Sequence, residues 1–241
     1  MSINLEYKKI RRTGFFPALA AGGILAAAFP LLNMSFRSEL FTGLDMPAVQ
    51  ILMENNWEMI TMLNLVLLLT GACILYHIEF ADNGIQKMLS LPRHETSLFF
   101  GKTALLLPAF LFMLAVETGA LIFCGIRWFS DSPSTVVCDT LLAAVFALLL
   151  SLPALALSLV ISSLCENMWV MLGIGVLCIF TASMLPADNF ALSLFPYALP
   201  FQILPGMATD QAVRFCAAAA AETVIICGAE FIIVKARRFF S

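Results

Sequence analysis

The sequence predicts an all-α integral membrane protein with six transmembrane helices. Of its 241 residues, 61% are hydrophobic and 12% are charged, whereas soluble globular chains average about 45–50% apolar and about 25% charged residues. Six stretches are apolar and long enough to cross a bilayer, and basic residues are distributed unevenly between them. We therefore expect a single transmembrane domain over residues 1–241. No basic patch with interleaved aromatic residues is present, so nucleic acid is not an expected partner.

The six apolar stretches each provide roughly the 20 residues that a membrane helix needs. They cover residues 14–34, 57–78, 103–124, 138–161, 168–186 and 212–234. The first follows a basic segment, as in a signal peptide, but it exceeds the usual apolar core of about 7–15 residues, which predicts an uncleaved span. Residues 162–167 are the only connection between the fourth and fifth stretches, which predicts antiparallel, neighbouring helices.

Small residues are concentrated in the first span, in the sequence ALAAGGILAAAF. Small side chains let helix backbones approach closely in a membrane. The pattern fits two arrangements, close packing within one bundle or an interface between subunits.

The lysine and arginine residues favour one orientation of these spans. With a cytosolic N-terminus, four precede the first span, three lie between the second and third, and three follow the sixth, which places ten inside. Arg37, Arg127 and Arg214 would lie outside. Because cytosolic loops carry the excess of basic residues, we expect both termini in the cytosol.

A polar stretch, HIEFADNGIQKMLSLPRHETSLFFGK, separates the second and third spans at His77–Lys102. Asp82 and Asn83 suit a helix N-cap, and Pro92 would end the helix. Between them, apolar residues recur at helical spacing on one face, namely Ile85, Met88 and Leu89. We predict a short cytosolic helix on the membrane surface. The periodicity alone leaves open whether it only anchors the loop or docks a soluble partner.

Gly101-Lys102-Thr103 is similar to the end of a nucleotide-binding loop, G-x-x-x-x-G-K-[ST]. The first glycine of that pattern is replaced by Thr96, and no strand is predicted before it. Phosphates are bound by the backbone of a glycine-rich loop, so we expect no nucleotide site on this chain.

The seven cysteines form no CxxC pair and lie mostly in apolar runs, where cysteine behaves as a small hydrophobic residue. We therefore expect no metal site.

Residues 185–206 are apolar but contain four prolines. Irregular backbone at membrane depth is tolerated only against protein or a wet cavity. The segment is therefore predicted either to re-enter the membrane before the last span or to form an interfacial cap without a role in transport.

Glutamates also occur inside the later spans, at Glu117, Glu222 and Glu230. Glu230 is close enough to the cytosolic end to reach Lys235 or the lipid headgroups, whereas Glu117 and Glu222 lie near the middle of their spans. A charge there costs at least about 2.5–3.5 kcal/mol on insertion scales. Glu117 and Glu222 are therefore either protonated, hydrogen-bonded packing contacts or part of a path for a cationic amphipathic substrate.

The segment EYKKIRRTGFFP, residues 6–17, resembles the opening of permease subunits of type-2 ABC exporters. It is most similar to the branch that serves lantibiotic and bacteriocin immunity or resistance. In that branch a glutamate follows the second span, and then come an Asn-Gly-like turn and a K-x-L-x-L-P motif. The corresponding residues here are Glu79, Asn83-Gly84 and Lys87–Pro92, in KMLSLP. The motifs are short, but the number and order of spans agree along the whole chain.

The resemblance implies roles for two segments. The N-terminal basic segment would be an elbow helix on the inner membrane surface, with Glu6, Lys8, Lys9, Arg11 and Arg12. The loop between the second and third spans would be a coupling helix that fits a groove of an ATPase. Its implied coupling residues are Glu79, Asp82, Asn83, Gly84, Gln86, Lys87, Met88, Leu89 and Pro92.

The resemblance also implies a complex in the bacterial cytoplasmic membrane. Two ATPase chains, which bind ATP and magnesium, would work with two permease chains, either identical or homologous. The permease itself would be no enzyme and would carry no cofactor. The complex would expel lantibiotic-like peptides from the membrane, and Glu117 and Glu222 are the candidates for the path that their position within the spans suggests. The alternative is a stand-alone carrier or channel in which these two acids relay protons; a membrane enzyme is disfavoured because no HExxH or G-x-S-x-G motif occurs.

Overall fold

A computed structural model of the chain describes residues 3–11, 13–81, 96–165, 167–185 and 189–240. Throughout these ranges the regular structure is helical, which confirms the predicted all-α class. The helices are α1 (Ile3–Ile10), α2 (Phe15–Thr42), α3 (Ala48–Ala81), α4 (Thr96–Trp128), α5 (Pro133–Leu164), α6 (Met168–Ser183), α7 (Phe190–Ser193) and α8 (Thr209–Phe240), with a 3-10 turn at Leu199–Phe201.

Within the described ranges, five helices are long and apolar enough to cross a membrane: α2, α3, α4, α5 and α8. The sixth predicted span is shorter than expected. α6 has 16 residues, which corresponds to about 24 Å of helix against a hydrocarbon core of about 30 Å. It ends where the N–H of Met184 bonds back to Thr181 O at 3.2 Å. The prediction of six full-length spans is therefore not confirmed.

The first four long helices have their ends in two groups. Glu79 of α3 forms ion pairs with Lys9 of α1 and Lys102 of α4, and we call this side of the bundle the ionic end. At the opposite end, the N–H of Ala48, where α3 begins, donates to Asp131 Oδ2 at 2.9 Å. Asp131 lies between α4 and α5 and provides an acceptor for the free N–H at the start of α3.

The later helices return to the same two ends. Near the end of α5, Ser162 Oγ lies 3.7 Å from Cys73 Sγ of α3, and Ser163 Oγ donates to Glu230 Oε2 of α8 at 3.2 Å. α3, α5 and α8 therefore run in one direction, and α2, α4 and α6 run in the other. Both α1 and the last part of α8 lie at the ionic end, as the predicted order of spans requires.

Four of the small residues of α2 pack inside this bundle. A Cβ on Gly22 would collide with Leu67 of α3, and a Cβ on Gly23 would lie 3.0 Å from the Cα of Met113 of α4. Ala26 and Ala27 are also buried. Of the two arrangements that the sequence left open, packing within one bundle accounts for these four residues, while Ala18 and Ala21 of the same stretch are exposed.

α6 packs mainly along α3, although the short connection predicted α5 as its neighbour. Met171 and Ile179 of α6 belong to the same buried cluster as Leu65 and Leu69 of α3. α5 and α6 are antiparallel and adjacent near their connection, but the larger contact surface of α6 belongs to α3. The short connection places the start of α6 beside the end of α5, whereas the apolar face of α6 packs mainly against α3.

The proline-rich segment before α8 is part of the packed core. Tyr197 and Leu199 are fully buried, and the Tyr197 hydroxyl shares a 3.0 Å hydrogen bond with Ser158 of α5. The Pro200 carbonyl accepts a 3.0 Å hydrogen bond from Trp57 Nε1 of α3. Side chains of α3 and α5 thus provide partners for polar groups of a segment that cannot form a continuous helix.

We expect Gly175→Ala to destabilise the α3–α6 contact. The new Cβ would overlap the side chain of Leu69, which is fully buried in the α3–α6 contact. Overpacking of this kind costs about 1–3 kcal/mol. Gly173→Ala is the matched control on the same helix, because no atom lies within 4 Å of its Cβ position, and it should gain about 0.5–1 kcal/mol from helix propensity. Thermal unfolding of both purified variants measures the difference; equal midpoints would contradict the packing described.

Candidate functional site

An ionic cluster of Lys9, Glu79 and Lys102 joins α1, α3 and α4. Lys9 Nζ donates to Glu79 Oε1 at 3.0 Å, and Lys102 Nζ lies 3.6 Å from the same oxygen. The side chains of Glu79 and Lys102 are 3% and 1% exposed, whereas that of Lys9 is 36% exposed. Lys102 is therefore the enclosed partner, and Lys9 reaches the carboxylate from the edge of the bundle.

Lys102 has further acceptors on α3. Its ammonium group donates to the Leu75 carbonyl oxygen and lies 4.8 Å from the centroid of the Tyr76 ring. A buried charge is tolerated when it is both paired and hydrogen-bonded, and a cation over an aromatic face is stabilised by the ring quadrupole. The lysine of the Gly-Lys-Thr sequence is thus fixed at the α3–α4 contact.

The predicted elbow is a helix docked on the bundle. Ile10 of α1 is buried in the same apolar cluster as Phe15, and the Tyr7 and Phe16 rings lie 5.5 Å apart. Of the predicted elbow residues, Lys9 enters the ionic cluster, while Lys8 and Arg11 are exposed. The Glu6 side chain and Arg12 lie outside the described parts of the chain.

Of the predicted coupling residues, Glu79 is the one that lies in the described part of the chain. Glu79 is the centre of the ionic cluster. The remaining predicted coupling residues lie in 82–95, outside the described residues, namely Asp82, Asn83, Gly84, Gln86, Lys87, Met88, Leu89 and Pro92. The two helices that flank this segment, α3 and α4, are held together at its base by the Glu79–Lys102 pair.

Glu117 is fully buried between helices of the same chain. Asn64 Nδ2 of α3 donates to Glu117 Oε2 of α4 at 2.8 Å. Within the described part of the chain, Glu117 Oε1 and Asn64 Oδ1 have no hydrogen-bond partner. Asn64 was not among the sequence-predicted site residues, although an isolated asparagine within an apolar run is a visible signal of an interhelical hydrogen bond.

Glu222 has different surroundings from Glu117. It is partly buried on α8, the helix that packs on α5 through Phe215 and Ala219, and its Oε2 atom has no partner among the described residues. No hydrogen bond or ion pair between described residues links Glu222 to Glu117.

Glu230 lies toward the ionic end of α8, near the helix end at which the sequence placed it. Its side chain is buried, and it accepts the 3.2 Å hydrogen bond from Ser163. α8 continues to Phe240, so Glu230 lies on a packed part of the helix.

In the described ranges, no three or more His, Cys, Asp or Glu side chains come together as metal ligands would.

A comparison with protein-family models found a match over most of the chain. The family described as ABC-2 family transporter protein matches residues 2–182, which is more than half of the chain. The match includes α1, the ionic cluster and the helices through α6; the proline-rich segment and α8 follow it. Neither the curated proteins nor the solved structures contain a match.

We expect Glu79→Leu to destabilise the contact between α1, α3 and α4. Removal of the carboxylate leaves Lys102 buried without its anionic partner, which costs about 3–5 kcal/mol in measured cases. Glu58→Leu is the matched control on the same helix, because Glu58 is exposed, and surface changes are usually within about 0.5 kcal/mol. Thermal unfolding of the purified variants compares the two. Equal stability of Glu79→Leu and the unaltered protein would show that the cluster does not hold the helices together.

Proposed function

The chain belongs to the ABC-2 family of transporter proteins, and from that membership we propose that it is the membrane-spanning subunit of an ATP-driven exporter. The family match is the observation that carries the proposal. ATP hydrolysis, with ATP and magnesium, takes place on two separate ATPase chains. The permease pairs with a second permease chain, identical or homologous, in a bacterial cytoplasmic membrane.

The ATPase docks on the segment between α3 and α4. The support is the position of the ionic cluster at the base of this segment. Glu79 and Lys102 join its two flanking helices, and Lys9 connects α1, the predicted elbow, to Glu79. Three helices held together by buried charges move together more readily than three separate ones. A displacement of the segment by the ATPase is therefore passed to α1, α3 and α4.

The ionic end of the bundle faces the cytosol. The support is the agreement of two independent features. α1, the base of the α3–α4 segment and the last part of α8 lie at one end, and ten of the thirteen basic residues flank the spans on the side of these segments. The proline-rich segment then lies toward the outer side, packed against Trp57 of α3, and re-enters the outer leaflet.

The exported substrate is a cationic, amphipathic peptide of the lantibiotic type. The chain contains 12 methionines and 21 phenylalanines, and soft or aromatic side chains adapt to variable apolar ligands. Glu117 and Glu222 provide negative charge within the spans, and a buried positive charge on a peptide needs such a partner. Glu222, on the less enclosed helix α8, meets the peptide first; Glu117 becomes accessible only when α3 and α4 separate.

The docking proposal predicts that Met88→Glu weakens the association with the ATPase. A carboxylate on the apolar face of the coupling segment would be desolvated in the groove without a partner. Co-purification of the ATPase with the permease and transport-stimulated ATP hydrolysis measure the effect. Met184→Glu is the control, because Met184 is 81% exposed and follows α6 at the opposite end. An intact complex with full coupling in Met88→Glu would exclude docking at this segment.

The substrate proposal predicts that Glu222→Gln or Glu117→Gln lowers protection against a cationic antimicrobial peptide several-fold while the amount of permease in the membrane stays constant. Glutamine keeps the size and hydrogen-bonding capacity and removes the ionisable group. Inhibitory peptide concentrations and immunoblots of membranes measure the two quantities. Unchanged protection at normal expression would show that the charges have no role in transport, and a parallel loss of both would assign the residues to folding.

A further inference from the structure

Two small cavities flank the Glu117–Asn64 pair inside the bundle. One is lined by Asn64, Thr61 and Ser151, and the other by Glu117, Thr118 and Thr140, with Trp57 and Leu114 on both. Each offers about 10 Å³ to a water-sized sphere. A single water molecule needs about 10–15 Å³ of such space. The cavities are therefore of the size of one water molecule, and a larger ligand does not fit.

The walls of both cavities present acceptors and almost no free donors. Thr118, Thr140 and Ser151 donate their hydroxyl protons to carbonyl oxygens of their own helices, at 2.6, 2.6 and 2.7 Å. Trp57 donates its indole proton to Pro200 O. The hydroxyl oxygens that remain can only accept hydrogen bonds.

Two buried acceptors lack a partner beside these cavities. They are Glu117 Oε1 and Asn64 Oδ1, on side chains that are 0% and 5% exposed. Buried polar atoms are nearly always satisfied by protein or by ordered water. A water molecule donates two hydrogen bonds, so it provides what each cavity lacks and finds in each the two to four polar partners that a buried water typically has.

We propose that one internal water molecule occupies each cavity and donates to Glu117 Oε1 and Asn64 Oδ1 respectively. The two waters extend the Asn64–Glu117 hydrogen bond between α3 and α4 to α5, through Thr140 and Ser151. Glu117 is then a hydrated group at a three-helix contact rather than a dry packing contact. This assignment rests on local geometry and does not depend on the transport function proposed above.

Hydroxyl radicals generated inside the protein detect such waters. Synchrotron radiolysis of the permease in lipid nanodiscs produces radicals from bound as well as bulk water, and mass spectrometry then locates the oxidised residues. Met53 lines the Glu117 cavity. Met113 and Met171 line neither cavity and are equally shielded from bulk solvent, since all three are at most 2% exposed. We expect Met53 to be oxidised several-fold faster than Met113 and Met171. Equal rates would overturn the proposal.

Variants test whether the water depends on the acceptors. Glu117→Leu removes the unpaired oxygen, and Thr140→Val removes a second acceptor with almost no change in shape. Both should lower the oxidation rate of Met53 toward that of Met171, while Glu117→Gln, which keeps an acceptor, should not. If Glu117→Leu fails to accumulate, Thr140→Val gives the same comparison. An undiminished Met53 rate in Thr140→Val would contradict the assignment.

A monovalent cation is the competing occupant of an acceptor-rich cavity. The same radiolysis is repeated with sodium and potassium replaced by choline, which is too large to enter. An unchanged Met53 rate is expected for water. A higher rate after removal of the small cations would mean that an ion had filled the cavity and would overturn the proposal.

Discussion

Every polar group inside this apolar bundle has to find its partner inside the bundle, and that constraint shapes the structure. Lipid offers no hydrogen bonds, so an unsatisfied group there is costly. Glu79 is satisfied by two lysines from other helices, the carbonyl of Pro200 by the indole of Trp57, and Glu230 by Ser163. Each of these ion pairs and hydrogen bonds joins segments that are far apart in sequence. Together they hold neighbouring helices side by side at the two ends of the bundle.

The ionic cluster shows how this constraint connects to a transporter's task. Lys102 is held by the Leu75 carbonyl and the Tyr76 ring as well as by Glu79, so the base of the α3–α4 segment is stabilised by several contacts. Lys9 is more exposed and reaches the same carboxylate from the elbow. An arrangement of this kind joins α1, α3 and α4 at one end of the bundle, as the coupling role proposed for the α3–α4 segment requires.

The interior of the bundle divides into parts of different rigidity. The α2 contact with α4 is tight, because Gly23 brings the two backbones close together. The α3–α4–α5 contact around Glu117 is looser, with one direct hydrogen bond and two water-sized cavities. Helices joined through small gaps and exchangeable waters separate at lower cost than helices joined by interlocked apolar side chains. A conformational change that opens the bundle would therefore begin more easily beside Glu117 than beside Gly23.

The sequence by itself determined the all-helical class, the positions of the long apolar helices and the order of their directions, because hydropathy and charge depend on local composition. The same local pattern placed an apolar stretch at 168–186 but could not show that its helix stops at Ser183, nor that the helix packs mainly on α3. Glu117 and Glu222 were recognisable as unusual residues, but their separate surroundings were not. Tertiary structure alone decided that Lys9, Glu79 and Lys102 meet and that Asn64 faces Glu117, because a buried polar group selects its partner by position in space, and the partners lie many residues apart along the chain.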